Sequence, residues 1–169
     1  AAIYIVKTAL QYSQKYNNEY DLNEAYITTG ILYGRTEKKN LTLSTPCFLK
    51  TIPYWRKTQN YEYVSLMYIN IAANYLEENN LETALKYNDS AYIYDDKVTI
   101  YYKLFAPRQR AKIYHNLKVF DSAYHYLQLS HEAEVKRMDL QEVETAKRLE
   151  EQYQNDKKEA TINNKNRQI

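Results

Sequence analysis

Apolar side chains return along this chain at helical spacing, and the faces they define are short and regularly interrupted. The clearest face is Val64, Met67, Tyr68, Ile71, Ala72, Tyr75 and Leu76, which keeps the i, i+3, i+4 rhythm of a helix. Polar Glu77-Glu78-Asn79-Asn80 breaks it, and Leu81, Ala84, Leu85, Ala91 and Tyr92 resume on a returning helix closed by Asp95-Asp96. Upstream, Ile3, Val6, Ala9, Leu10 and Ser13 predict a helix over residues 2–16, ended by Asn17-Asn18. A second helix is expected over 21–36, with Asp21 or Asn23 as its N-cap. Residues 37–44 read as a corner, and Thr45-Pro46 has the form of an N-cap followed by Pro at the first helical position. The helix it opens runs to about Tyr54 or Lys57, with a kink or early stop expected near Thr51 because of Pro53.

Ile100–Leu117 is helical by pattern, and Pro107 inside it should kink the helix or mark its true start. From Phe120 onward there is no breaker. Phe120, Ala123, Leu127 and Ser130 are followed by a thinner stripe of Val135, Met138, Ala146, Leu149 and Tyr153 in a segment rich in Glu, Lys, Arg and Gln. That predicts a long helix leaving the domain over 135–160, a candidate coiled coil whose seam misses a beat near Glu142–Val143. The Asn-rich end, Thr161–Ile169, reads as a frayed or disordered tail.

These faces repeat. A small residue followed three later by Tyr occurs at Gly30/Tyr33, Ala72/Tyr75 and Ala111/Tyr114, and small residues seven apart occur at Ala2/Ala9, Ser44/Thr51, Ala84/Ala91 and Ala123/Ser130. Both sets recur at about 40 residues, the signature of stacked helical hairpins, which bind more often than they convert. The expected fold is all-α, with about 7 helices, the last long and extended.

Composition agrees with helices. Only 2 Gly and 3 Pro occur in 169 residues, too few for the many turns of a sheet protein. The 20 Tyr suit thin two-layer packing, in which a ring fills an interface while its hydroxyl reaches water. A net charge of +2 with interspersed signs gives no field that argues for nucleic acid. The lone Cys47 forms no internal disulfide or multi-cysteine metal site, and reads as a small filler. His115, His125 and His131 lack the i, i+4 spacing of two ligands on one helix face, and Gly30 and Gly34 make no phosphate-cradling loop. No catalytic residue, metal site or cofactor is expected. No apolar run is long enough for a membrane span, although one just downstream would fit. The start at Ala1, in mid-pattern, reads as a mature or trimmed fragment.

The residues Tyr68, Asn70, Ile71, Ala72, Tyr75, Leu81, Ala84 and Ala91 resemble a unit of the tetratricopeptide family. Ala111, Tyr114, Phe120, Ala123 and Leu127 match it again, and Tyr26, Gly30, Tyr33, Ser44, Phe48 and Thr51 form a degenerate copy. The resemblance implies a repeat domain over 1–134, with a half unit at 1–18 (Ala2, Val6, Ala9) and units at about 21–57, 60–96 and 98–134. It further implies a right-handed superhelical stack of antiparallel hairpins. Departures are Asn88, where that family has an aromatic, and Pro107 and Arg110 in place of large apolar residues.

In that family the first helix of each unit lines a concave binding face. Carried onto this chain, the face comprises Ile27, Ile31, Arg35, Asn70, Ala73, Glu77, Arg108, Lys112 and His115, with Arg35, Asn70, Arg108 and Lys112 suited to a carboxylate or peptide backbone. Ile31 and Ala73 stand where the carboxylate clamp of chaperone-binding relatives has amides, so chaperone docking is not expected. Units near 40 residues leading into a long helix are also similar in layout to the extracytoplasmic sensor regions of bacterial membrane-bound signalling and regulatory proteins. That resemblance implies a protein or peptide partner and a periplasmic location. The alternative is a cytosolic adaptor that homodimerises through 135–160.

Overall fold

The computed structural model describes residues 18–35 and 39–166, with Gln11 and Lys15 as isolated points and backbone alone from residue 160. The expected helix over 2–16, the half unit at 1–18 with Ala2, Val6 and Ala9, and residues 167–169 lie outside the described residues. Every described secondary element is helical: α1 (Glu19–Arg35), α2 (Leu41–Lys57), α3 (Tyr61–Glu77), α4 (Leu81–Tyr92), a 3-10 turn (Asp95–Lys97), α5 (Ile100–Lys103), α6 (Phe105–Asn116) and α7 (Phe120–Asn166). Since α5 and α6 are one helix interrupted at Leu104, there are six helices among the described residues.

Successive helices pack on one another: α1 on α2, α2 on α3, α3 on α4, and α6 on α7, with α4 and α3 both touching α6. Three corners share one construction. Asn60, Asn80 and Val119 each donate a backbone N–H to the carbonyl five residues back (Trp55, Tyr75 and Tyr114, all at 2.9 Å). The residue before each, Gln59, Asn79 or Lys118, sits in the left-handed region at φ 57°, 58° and 61°. This is the Schellman closure. At two corners the closing residue also opens the next helix, as the Asn60 and Asn80 side chains accept from Tyr63 and Thr83 N–H.

The same arrangement moves the start of α2. Asn40 is the cap, accepting from Leu43 N–H at 3.1 Å, so the helix begins at Leu41 and Thr45-Pro46 lies inside it. Pro53 does not stop it either. Each proline removes one donor, for the Thr42 and Leu49 carbonyls. Pro46, Pro53, Thr42 and Leu49 are all exposed, so water can take the place of the missing N–H. Pro107 behaves differently: its missing partner is the Lys103 carbonyl, and the helix breaks there and resumes at Phe105. The cap of α1 is Asn18, which accepts from Asp21 N–H, rather than Asp21 or Asn23. Asn23 is buried and donates to the Glu19 carbonyl at 2.7 Å. At the far end α7 takes in 161–166, read from sequence as a frayed tail; the stretch is Asn-rich but contains neither Gly nor Pro.

Most of the recurring small residues lie inside, with Ala123 only half-buried. Gly30, Ser44, Thr51, Ala72, Ala84, Ala91, Ala111 and Ser130 are all buried. A Cβ on Gly30 would stand 2.6 Å from the Phe48 ring, so that contact requires glycine. The main apolar core gathers Ile27, Phe48, Ile52, Trp55, Val64, Met67, Ile71, Tyr94 and Val98, from the first three helices and the link after α4.

The α4–α6 contact is polar. Asn88, fully buried, donates to the Ala106 carbonyl at 3.0 Å and to Gln109 Oε1 at 3.1 Å, and accepts from Arg110 Nε at 2.7 Å. Arg110 also pairs with Asp89 and lies over the Tyr92 ring, 4.2 Å from its centre. Asn88 and Arg110, two of the departures from the family pattern, are therefore partners of one another.

Candidate functional site

Two open clefts lie along the side formed by α1, α3 and α6. The first, of about 480 Å³, has walls from Gly30, Ile31, Gly34 and Arg35 of α1, Asn70, Ala73, Asn74 and Glu77 of α3, and Lys112 of α6. The second, of about 720 Å³, lies between the end of α3 (Leu76, Glu77), α6 (Arg108, Ala111, Lys112, His115, Asn116) and the start of α7 (Phe120, Ala123, Tyr124, Leu127). Glu77 and Lys112 line both, so the two clefts adjoin across the middle of the face.

Eight of the nine residues expected from sequence border these clefts. Ile31, Arg35, Asn70, Ala73, Glu77 and Lys112 border the first, and Glu77, Arg108, Lys112 and His115 the second. Ile27 does not. It is 7% exposed and belongs to the apolar core, because a helix stripe that faces a groove at one turn faces the neighbouring helix at the next. Asn70 donates to the Leu66 carbonyl at 3.0 Å, so part of its amide is already used by its own helix.

The charges on this face are arranged unequally. Glu77 is paired to Lys39 at 2.6 Å. Arg108 is paired to Glu134 of α7 at 2.9 Å, and Glu134 lies 3.9 Å from Arg137. Among the described residues this leaves Arg35 and Lys112 as the unmatched cations of the face.

Residues beyond the sequence-derived set also take part. Lys39 governs Glu77 but lies in a corner, where helical periodicity gives no direction. Phe120, Tyr124 and Leu127 form the apolar wall of the larger cleft and are 60%, 63% and 54% exposed. They belong to a returning helix, which the first-helix rule leaves out. Their i, i+4, i+7 spacing on the last hairpin, with no further hairpin among the described residues to cover it, was the available signal. His115 is edge-on to Phe120, with ring centres 5.7 Å apart.

Elsewhere, Cys47 is half-buried, and burial pushes its thiol up, with Lys50 opposing. Burial pushes the Tyr63 phenol up to about 12, helped by neighbouring Glu24, and pushes Tyr92 up as well. Among the described residues no three His, Cys, Asp or Glu side chains gather as metal ligands, and no helix is long and apolar enough to cross a membrane. Comparison of the chain with protein-family models, with curated proteins and with solved structures finds no match in any of the three.

Proposed function

We propose that this chain is a non-enzymatic domain of the tetratricopeptide kind, a superhelical stack of helix hairpins that binds a protein or peptide segment along one face. The observation that carries the reading is the pair of clefts joined at Glu77 and Lys112, which crosses the first helix of every described hairpin. The repeated corner geometry and the small residues at the helix contacts support the same reading. By its layout, repeats running into one long helix, the domain serves as the sensor or interaction region of a bacterial signal-transduction or transcription-regulatory protein, on the periplasmic side of the membrane.

The test is selection of binders from a random peptide display library against the folded chain. Ala73 and Ala123, half-buried in the two clefts, provide the control. Ala73→Arg and Ala123→Arg should each retain the far-UV spectrum of a helical protein and lose the selected peptides. Binders indifferent to both substitutions would place the site elsewhere and sink the reading.

A second reading rests on α7. Val135, Met138, Leu149 and Tyr153 lie 42–60% exposed on a helix that outlasts its packing partners. A cytosolic adaptor that dimerises through 135–160 would cover them. Sedimentation with and without residues 136–169 decides it: two monomers at high concentration exclude the dimer.

A further inference from the structure

The larger cleft is fitted for one chemical class of ligand, and an internal carboxylate already pairs with one of the cations that ligand would use. Its floor and one wall are apolar, built from Leu76, Ala111, Phe120, Tyr124 and Leu127, while its rim carries Arg108 and Lys112. Lys112 has no ion pair among the described residues. Arg108 does have one, with Glu134 of α7 at 2.9 Å, a residue that does not line the cleft.

That ion pair is poorly protected. The Arg108 and Glu134 side chains are 42% and 34% exposed, and a pair so open to water is weak. Glu134 has a second place to go. Arg137, one turn further along α7, is 3.9 Å away and presents a buried Nε with no hydrogen-bond partner. A carboxylate entering the cleft can therefore take Arg108 while Glu134 moves to Arg137, and no charge is left unmatched.

We propose that Glu134 is an internal stand-in for the carboxylate of the cleft's ligand, and that this ligand is a peptide segment with acidic residues beside bulky apolar ones. The acid bridges Arg108 and Lys112, and the apolar side chain fills the space against Phe120, Tyr124 and Leu127. Because Glu134 belongs to α7, occupancy of the cleft exchanges one tether of that helix for a contact within it. This rests on the peptide-binding reading above and adds the ligand's chemistry and the competing residue.

The experiment uses fluorescein-labelled peptides with a Glu-Glu-Leu-Phe core in Gly-Ser flanks, with Gln-Gln-Leu-Phe and Glu-Glu-Gly-Gly controls, titrated to millimolar concentration against the full chain. The acidic apolar peptide should bind tightest. Glu134→Gln should tighten it by about 2- to 5-fold, the range set by removing a competing exposed pair, and leave the Gln-Gln peptide unchanged. Arg108→Gln should weaken it by roughly 10-fold, as expected for loss of a charge-assisted contact, and abolish the gain from Glu134→Gln in the double variant. Helical far-UV spectra confirm that each variant folds. If Glu134→Gln has no effect or loosens binding, or if its gain survives without Arg108, the stand-in is wrong while peptide binding stands. If none of the three peptides binds at millimolar concentration, the acidic, apolar ligand and the stand-in both fall, while peptide binding as such is decided by the library selection.

Discussion

At the residue scale, the most instructive pair is Asn88 and Arg110. An amide with no exposure is costly unless its groups are met, and here both of its ends are: Ala106 and Gln109 accept from the nitrogen, and Arg110 donates to the oxygen. Asn88→Leu would leave the Arg110 Nε without its acceptor on a side chain only 12% exposed, while Asp89 keeps the other end of the guanidinium, and should cost about 1–3 kcal/mol. Asn88→Leu with Arg110→Met replaces both partners and should cost less than the single change. Urea denaturation of the four proteins in the cycle measures the coupling, and additive losses would contradict it. A second residue-scale effect concerns pH. The Tyr63 phenol stands at about 12 in the folded chain against about 10 unfolded. The unfolded chain therefore loses this proton first, and the stability tied to it is complete below pH 10 and lost as pH rises toward 12. Tyr63→Phe should flatten that decline, read as the change in urea midpoint between pH 9 and pH 11.5. An unchanged slope would remove Tyr63 from the account.

At the element scale, the corners explain how a chain with 2 Gly turns so often. Gln59, Asn79 and Lys118 all adopt the left-handed conformation that glycine takes at most helix ends. A side chain with a Cβ costs roughly 1–2 kcal/mol there, with Asn the best tolerated. Gln59→Gly should therefore stabilise by about 0.5–1 kcal/mol, Asn79→Gly should change little, and Asn80→Ala should lose about 1 kcal/mol of cap. Thermal melts rank the three, and a destabilising Gln59→Gly would refute the closure. These elements also show what could be read in advance. The face from Val64 to Leu76 was legible because its period is helical and its breaker is polar. The start of α2 was not, because Thr45-Pro46 satisfies the local rule for a helix N-terminus and only the solvent-facing position of Pro46 lets the helix run through it. The cleft was legible from the first helices, apart from Ile27. Its apolar wall was not, since Phe120 and Tyr124 become available only if nothing packs over the last hairpin, and that is a property of the assembled helices.

At the scale of the whole molecule, cohesion is uneven. The main apolar core draws its buried side chains from α1, α2, α3 and the link from Tyr94 to Val98, and none from α6 or α7. The second half has a smaller apolar patch of its own, with Leu104, Ala106, Ala111 and Ile113 buried, and is joined to the rest by the Asn88 network, by Ser130 donating to the Leu104 carbonyl at 3.1 Å, and by ion pairs open to water. Tyr101 donates to Glu144 at 2.8 Å, and further out residues 145–159 are all exposed. A single helix without a packed face is marginal on its own. Loss of structure should therefore start in the outer part of α7, pass to the α6–α7 hairpin, and reach the first four helices last. The chain carries its own reporter for the last step. Trp55, the single tryptophan, is 2% exposed and packed among Tyr20, Tyr54 and Tyr63 in the main core, while far-UV ellipticity averages over every helix. In urea the ellipticity should begin to fall at a lower concentration than the Trp55 fluorescence changes, with hydrogen exchange fastest in 145–166 and slowest in α2 and α3. Coincident transitions by both probes would mean that α6 and α7 unfold with the core, and that their polar contacts couple the two halves as firmly as apolar packing does.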